Sequence, residues 1–194
     1  YNNGRGYSIN LQECDKEILE RFKEHIEYDG ELKELINKNK RYPNLSVYGK
    51  KISLDLNKLG CVKAKSKVLT FPNENQIPSN LISHFIRGYF DGDGSLSKSS
   101  KGRWECSVCS TSKFNEALIQ IILLNTGVEC KMYKDNSCHE SYSRISFGAK
   151  EKIFKFLNWI YKGSDIHLTR KYNKYLNFCE EYNLRLIENN TSHT

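Results

Sequence analysis

The chain repeats itself, and that constrains its fold more than any other feature. Tyr7-Ser8-Ile9-Asn10-Leu11-Gln12 alternates apolar and polar residues, then runs into a helical pattern from Asp15 (Ile18, Leu19, Phe22, Ile26). Trp104-Glu105-Cys106-Ser107-Val108-Cys109 does the same ahead of a pattern near Ser112 (Phe114, Leu118, Ile121, Ile122). Further on, Leu45-Ser46-Val47-Tyr48-Gly49-Lys50 parallels Ile145-Ser146-Phe147-Gly148-Ala149-Lys150, with helices expected over 52–59 and 153–161. Alternation marks half-buried strands, and apolar residues at spacings of three and four mark amphipathic helices. Asp15 and Ser112 suit N-cap positions. A further strand is expected within 31–37 in the first unit and near 128–134 in the second. The offset between the units is roughly 97 residues. Strand, helix, strand, strand, helix therefore occurs twice, which predicts an α+β fold of two related units, each an antiparallel sheet with helices on one face. The boundaries read as 1–60 for the first unit, 61–78 for a connector, 79–168 for the second unit and 169–194 for a last amphipathic helix with a polar tail. In the connector, Lys63, Lys65 and Lys67 alternate, and Pro78 suits the first turn of the next helix.

The second unit has an addition in front. Phe85-Ile86-Arg87-Gly88-Tyr89-Phe90-Asp91-Gly92-Asp93-Gly94 reads as the end of an apolar helix over 79–94 that stops in two acids. Gly88 and Gly92 lie four apart on one helix face and permit close approach of a second backbone. Asp91 and Asp93 add negative charge where a helix already carries its partial negative pole. A hard divalent cation such as Mg²⁺ (or Mn²⁺) neutralises such a site. Asp-Gly alone is an ordinary turn dipeptide. The preceding apolar run and spaced glycines make the signal specific.

Ile86 to Gly94 resembles, position by position, the motif of the LAGLIDADG homing endonucleases, which cut double-stranded DNA. The resemblance implies two motif helices side by side, with the two sheets forming a saddle over a long DNA site. It also implies a metal held by Asp93 with help from the Gly92 carbonyl, a structural part for Asp91 in the helix interface with Gly88 and Gly92, and a basic residue near the attacking water. Carried onto this chain, that base is Lys150, with Lys50 or Lys51 in the matching place of the first unit. Applying the repeat offset to Asp93 puts the equivalent acid about four positions before Tyr1, so a first motif helix is expected upstream. Family chains with two motifs act as monomers; without the first helix, a dimer is the alternative. The rival readings are a non-catalytic DNA- or RNA-binding relative (an intron maturase or a regulator) and a nicking enzyme that uses the Asp93 side alone.

The formal charge of +7 suits a polyanionic partner. No apolar run reaches membrane-spanning length. Seven cysteines, an odd number, argue against a closed disulfide framework and for a reducing intracellular compartment rather than secretion. Cys106 and Cys109 have zinc-ligand spacing, and Cys138-His139 offers two more groups. Residues three apart on a strand face opposite ways, however, so buried thiols are the expectation. DNA is expected on the outer sheet faces, because a twisted antiparallel ribbon fits the major groove. With apolar residues turned to the helices, the outward set is Ser8, Asn10 and Gln12 in the first unit. In the second it is Arg103, Glu105, Ser107, Lys131, Tyr133, Arg144 and Ser146. Lys50 joins them as a basic contact.

Overall fold

The computed structural model describes residues 6–10, 15–62, 68–134 and 142–191. It divides into two compact units, Tyr1–Lys65 and Ser66–Thr194. Gln12, Lys63, Lys65, Lys67 and Cys138-His139 lie outside the described residues.

The first unit runs β1 (Gly6–Asn10), α1 (Lys16–His25), β2 (Lys33–Asn37), β3 (Lys40–Tyr48), α2 (Lys50–Lys58). Its antiparallel sheet has the order β1-β3-β2. The β2–β3 hairpin closes through Lys38 and Asn39, both at positive φ (48° and 60°). A tight two-residue turn needs that left-handed pair to match strand twist. The core is small, built on Leu19 of α1 with Leu45 and Val47 of β3.

The second unit runs from a 3₁₀ turn (Ser79–Leu81) through α3 (Ile82–Asp93), β4 (Gly94–Lys98), β5 (Trp104–Thr111), α4 (Ser112–Thr126), β6 (Lys131–Lys134), β7 (Tyr142–Phe147), α5 (Lys150–Tyr161) and α6 (Thr169–Thr191). Its sheet order is β4-β5-β7-β6, antiparallel throughout. Removing β4 leaves β5-β7-β6, the same order as β1-β3-β2. Helices α1 and α4 occupy equivalent places, as do α2 and α5.

The strand register refines the repeat. Ser8 pairs with Ser46 and Ile9 with Leu45, while Ser107 pairs with Ser146 and Val108 with Ile145. The counterpart of Ser8 is therefore Ser107, not Glu105, a slip of two residues from the sequence reading. Alternation fixes a strand only modulo two, so period alone cannot tell these registers apart. Lys50 and Lys150 each open a helix, so Lys50 rather than Lys51 is the positional counterpart of Lys150.

Packing follows the predicted periods. In β5, Trp104, Cys106 and Val108 are buried and Glu105 is exposed. In α5, Ile153, Phe156, Leu157, Ile160 and Tyr161 form one inward face. Helix α4 is capped by Thr111 rather than Ser112: the Thr111 hydroxyl accepts from Phe114 N–H at 3.2 Å. Asp15 holds the N-cap position of α1 but gives it no side-chain capping hydrogen bond. Helix α6 is no detached tail, because Tyr175 and Phe178 complete the second core. Among the described residues, no helix is long and apolar enough to cross a membrane.

Candidate functional site

Helix α3 presents two unlike faces, and the difference starts with its charged residues. Ile86, Arg87, Phe90 and Asp91 are buried. Arg87 is 7% exposed and Asp91 7%. A buried charge is tolerable only when it is hydrogen-bonded and compensated, and both residues meet that condition on the α5–α6 connection. Arg87 donates from Nε to Ile166 O (2.8 Å) and from Nη1 to Ile160 O (3.2 Å). Asp91 accepts from the Tyr161 hydroxyl at Oδ1 (2.5 Å) and from Leu168 N–H at Oδ2 (2.9 Å). One turn of α3 thus offers a cation to two carbonyls and a carboxylate to two donors. Burial raises the Asp91 carboxyl above its usual range, against the opposing pull of Tyr161, Leu168 and Lys171. Burial and the Asp91 charge push the Tyr161 hydroxyl upward.

Lys171, on the first turn of α6, closes this arrangement. It is 6% exposed, and its ammonium donates to Phe90 O and to Gly94 O, both at 2.6 Å. The last carbonyls of a helix have no intrahelical donor, and Lys171 supplies one from outside. Desolvation pulls its ammonium down to about 8, while Asp91 and Asp93 act the other way. Tyr89 anchors the helix from a third side, donating to Ser110 Oγ at 2.7 Å and stacking on Phe114 at 4.3 Å.

The opposite face is bare. Gly88, Gly92 and Asp93 are exposed, and a Cβ built on Gly88 or Gly92 would meet nothing within 4 Å. Among the described residues, no side chain hydrogen-bonds or ion-pairs with Asp93, and no group of three or more metal-ligating side chains occurs. The Asp93 carboxylate and the exposed Gly92 beside it make up the oxygen donor set at this helix end. Mg²⁺ suits such a set, since it is usually bound through one or two carboxylates plus water and phosphate oxygens.

The predicted site residues separate into groups. Asp93 and Gly92 stand together on the bare side, and Gly88 shares it. Asp91 does not: it was expected in the helix interface with the two glycines, but it is turned inward onto the end of α5 and the connection to α6. The reason is that its carboxylate finds two donors there. Lys150, carried over as the base near the attacking water, opens α5 with a half-buried side chain, and its charge helps to hold the Glu181 carboxyl below its usual range. Asp93 also acts on the Lys171 ammonium, raising it against burial. Neither Lys171 nor Arg87 was singled out from the sequence. The available signal was a lysine on an amphipathic helix and an arginine inside an apolar run.

The sheet faces keep their predicted sense. Glu105, Lys131, Tyr133 and Arg144 are exposed, and Ser107 and Ser146 are half-buried. Arg103 is exposed at the entry to β5, and Lys50 at the start of α2. Ser8 and Asn10 pair with Ser46 and Asn44. Across the second sheet, register places Ser95, Ser107, Ser146 and Lys131 in one row, and Cys109, Arg144 and Tyr133 in the next. Cys106 and Cys109 fall on opposite faces, as their spacing required.

Comparison with known proteins supplies the last observations. The sequence model of a family described as "LAGLIDADG-like domain" matches residues 80–185. No curated protein sequence matches the chain. Among solved structures, the LAGLIDADG homing endonuclease I-LtrWI bound to target DNA is 12% identical, with TM-score 0.53 over 92% of this chain and 80% of that one. I-SmaMI bound to an uncleaved DNA target is 13% identical, with TM-score 0.57 over 97% and 82%. Full-length DUF199/WhiA from Thermatoga maritima is 13% identical, with TM-score 0.52 over 98% and 63%. At these identities the structures establish a shared fold.

Proposed function

The chain belongs to the LAGLIDADG-like family, and from that premise we propose that it is a site-specific, divalent-metal-dependent endonuclease acting on double-stranded DNA. The observation that carries this reading is Asp93: an exposed carboxylate at the C-terminal pole of a helix whose neighbouring acid, Asp91, is consumed by the fold. The negative pole and the carboxylate act together on a cation. Asp93 and the Gly92 carbonyl would hold Mg²⁺ or Mn²⁺, which when bound supplies Lewis-acid charge at a phosphate oxygen and an acidified water. The chain's own residues orient the duplex. The hydroxyl row and Arg144, Glu105 and Lys131 on the sheet offer donors and acceptors to base edges, with arginine suited to guanine and glutamate to cytosine.

The bare Gly88–Gly92 face supports pairing with a second motif helix, from this protein or from another copy. Gly88→Leu separates pairing from folding. Its helix propensity favours the isolated unit by about 0.5–1 kcal/mol, and no described atom obstructs a Cβ there. The expected result is a thermal midpoint equal to or above wild type with cleavage reduced at least tenfold. Full cleavage by the Leu variant would remove the pairing argument.

The functional test is a plasmid library carrying random inserts, incubated with Mg²⁺, with Mn²⁺ or with EDTA. The expected outcome is linear product from a restricted set of plasmids in either metal and none in EDTA. Metal-independent binding without nicking favours the second reading, a nucleic-acid-binding member that does not cut. The lone exposed acid at the α3 end gives that reading its support.

A further inference from the structure

We propose that Lys171 is the positioning residue of the α3 terminus. Its ammonium, by bridging Phe90 O and Gly94 O, fixes the backbone turn that aims Asp93 outward. The inference rests on the reading of Asp93 as a metal ligand and adds a residue that touches neither metal nor DNA.

The chain must leave a helix at Asp93 and enter a strand at Gly94 without an intervening loop. Gly94 N–H still bonds back to Phe90 O, while Gly94 itself is already extended, at φ −80° and ψ 161°. The change of direction therefore falls on the residues between two carbonyls, and Lys171 holds both of them at 2.6 Å. A compact ammonium with three donors suits two acceptors that converge on one point. The ammonium lies over the Phe90 ring, with Nζ 5.3 Å from the centroid. A side chain added at Gly94 would strike that same ring, so the ring, the glycine and the lysine form one tight corner. Lys171 is itself placed by the neighbouring clamp: Leu168 N–H is bonded to Asp91, and Leu168 O accepts from Lys171 N–H at 2.9 Å. At 6% exposure the ammonium is turned into the corner rather than presented to a phosphate.

The experiment compares wild type with Lys171→Met, Lys171→Gln and Lys171→Arg in three readouts. These are amide exchange of Gly92 to Gly94, Mn²⁺ binding followed by the electron paramagnetic resonance of free Mn²⁺, and the salt dependence of DNA binding. Positioning predicts that Met accelerates exchange at Gly94 at least tenfold while α1 is unchanged, and weakens Mn²⁺ binding at least tenfold. It also predicts an unchanged salt slope and recovery of exchange to within about threefold by Arg, which keeps the charge and has donors for both carbonyls. If the Met variant fails to fold, Gln reads the same quantities. Unchanged exchange at Gly94 overturns the proposal. So does a salt slope reduced by about one with Mn²⁺ binding intact, because that is the mark of a direct phosphate contact. If exchange behaves as expected but wild type and Asp93→Asn bind Mn²⁺ equally, the positioning role stands and the metal reading of Asp93 falls.

Discussion

Replacing Asp93 by Asn is expected to abolish metal-dependent cleavage while leaving DNA binding within about threefold of wild type. The substitution keeps the shape of the side chain and removes the charge. Asp93 is exposed, and among the described residues no side chain hydrogen-bonds with it, so the fold loses only its long-range attraction for Lys171. A metal ion contributes several kcal/mol of transition-state stabilisation in phosphoryl chemistry. Loss of about 4 kcal/mol corresponds to roughly a thousandfold in rate. In the proposed reading, binding rests on the sheet faces and on the net positive charge, which the variant slightly increases. The comparison of cleavage rate with dissociation constant on one cleaved duplex decides the matter. Undiminished cutting would sink the assignment of Asp93. A parallel loss of binding would mean that the carboxylate works through the fold.

The second large effect belongs to the other acid. Asp91→Ala should destabilise the second unit by about 3–5 kcal/mol, the usual cost of removing one partner from a buried charge network. The variant leaves the Tyr161 hydroxyl and Leu168 N–H facing an empty site, and it strips Arg87 and Lys171 of the carboxylate between them. At about 2–4 °C per kcal/mol for a chain of this size, the thermal midpoint falls by about 6–20 °C. Glu181→Ala is the control. It removes a half-exposed carboxylate from Lys98 and Trp104 and should cost about 1 kcal/mol or less. Equal midpoints for the two variants would refute the clamp. The two aspartates differ by two positions in the chain and should differ entirely in phenotype: Asp93→Asn folds and does not cut, and Asp91→Ala fails in folding first.

Much of this architecture was legible in the sequence because it is local. The Ile-Ser-Phe and Leu-Ser-Val segments, the apolar faces of α4 and α5 and the abrupt acidic end of α3 are written in residues within one or two turns of one another. The register slip between Ser8 and Ser107 shows the limit of a period-two signal. The clamp was not legible, since Arg87 reaches Ile166, Asp91 reaches Leu168 and Lys171 reaches Gly94 across long sequence separations. No periodicity encodes such pairings. The inward turn of Asp91 is equally non-local, since its two donors, the Tyr161 hydroxyl and Leu168 N–H, come from the end of α5 and the connection that follows it.

The two faces of α3 carry a consequence for how such a protein can change over time. On α3, the buried residues that tie it to its unit (Ile86, Arg87, Phe90 and Asp91) lie on the inward side, and those proposed for metal and pairing (Gly88, Gly92 and Asp93) lie on the other. Selection for stability and selection for chemistry therefore act on different residues of one short helix. A lineage released from the need to cut can lose its outward residues singly, each loss leaving a well-folded DNA-facing scaffold intact. If the proposed activity holds, passage from nuclease to binder can begin with a single substitution at Asp93 that leaves the inward face of α3 untouched.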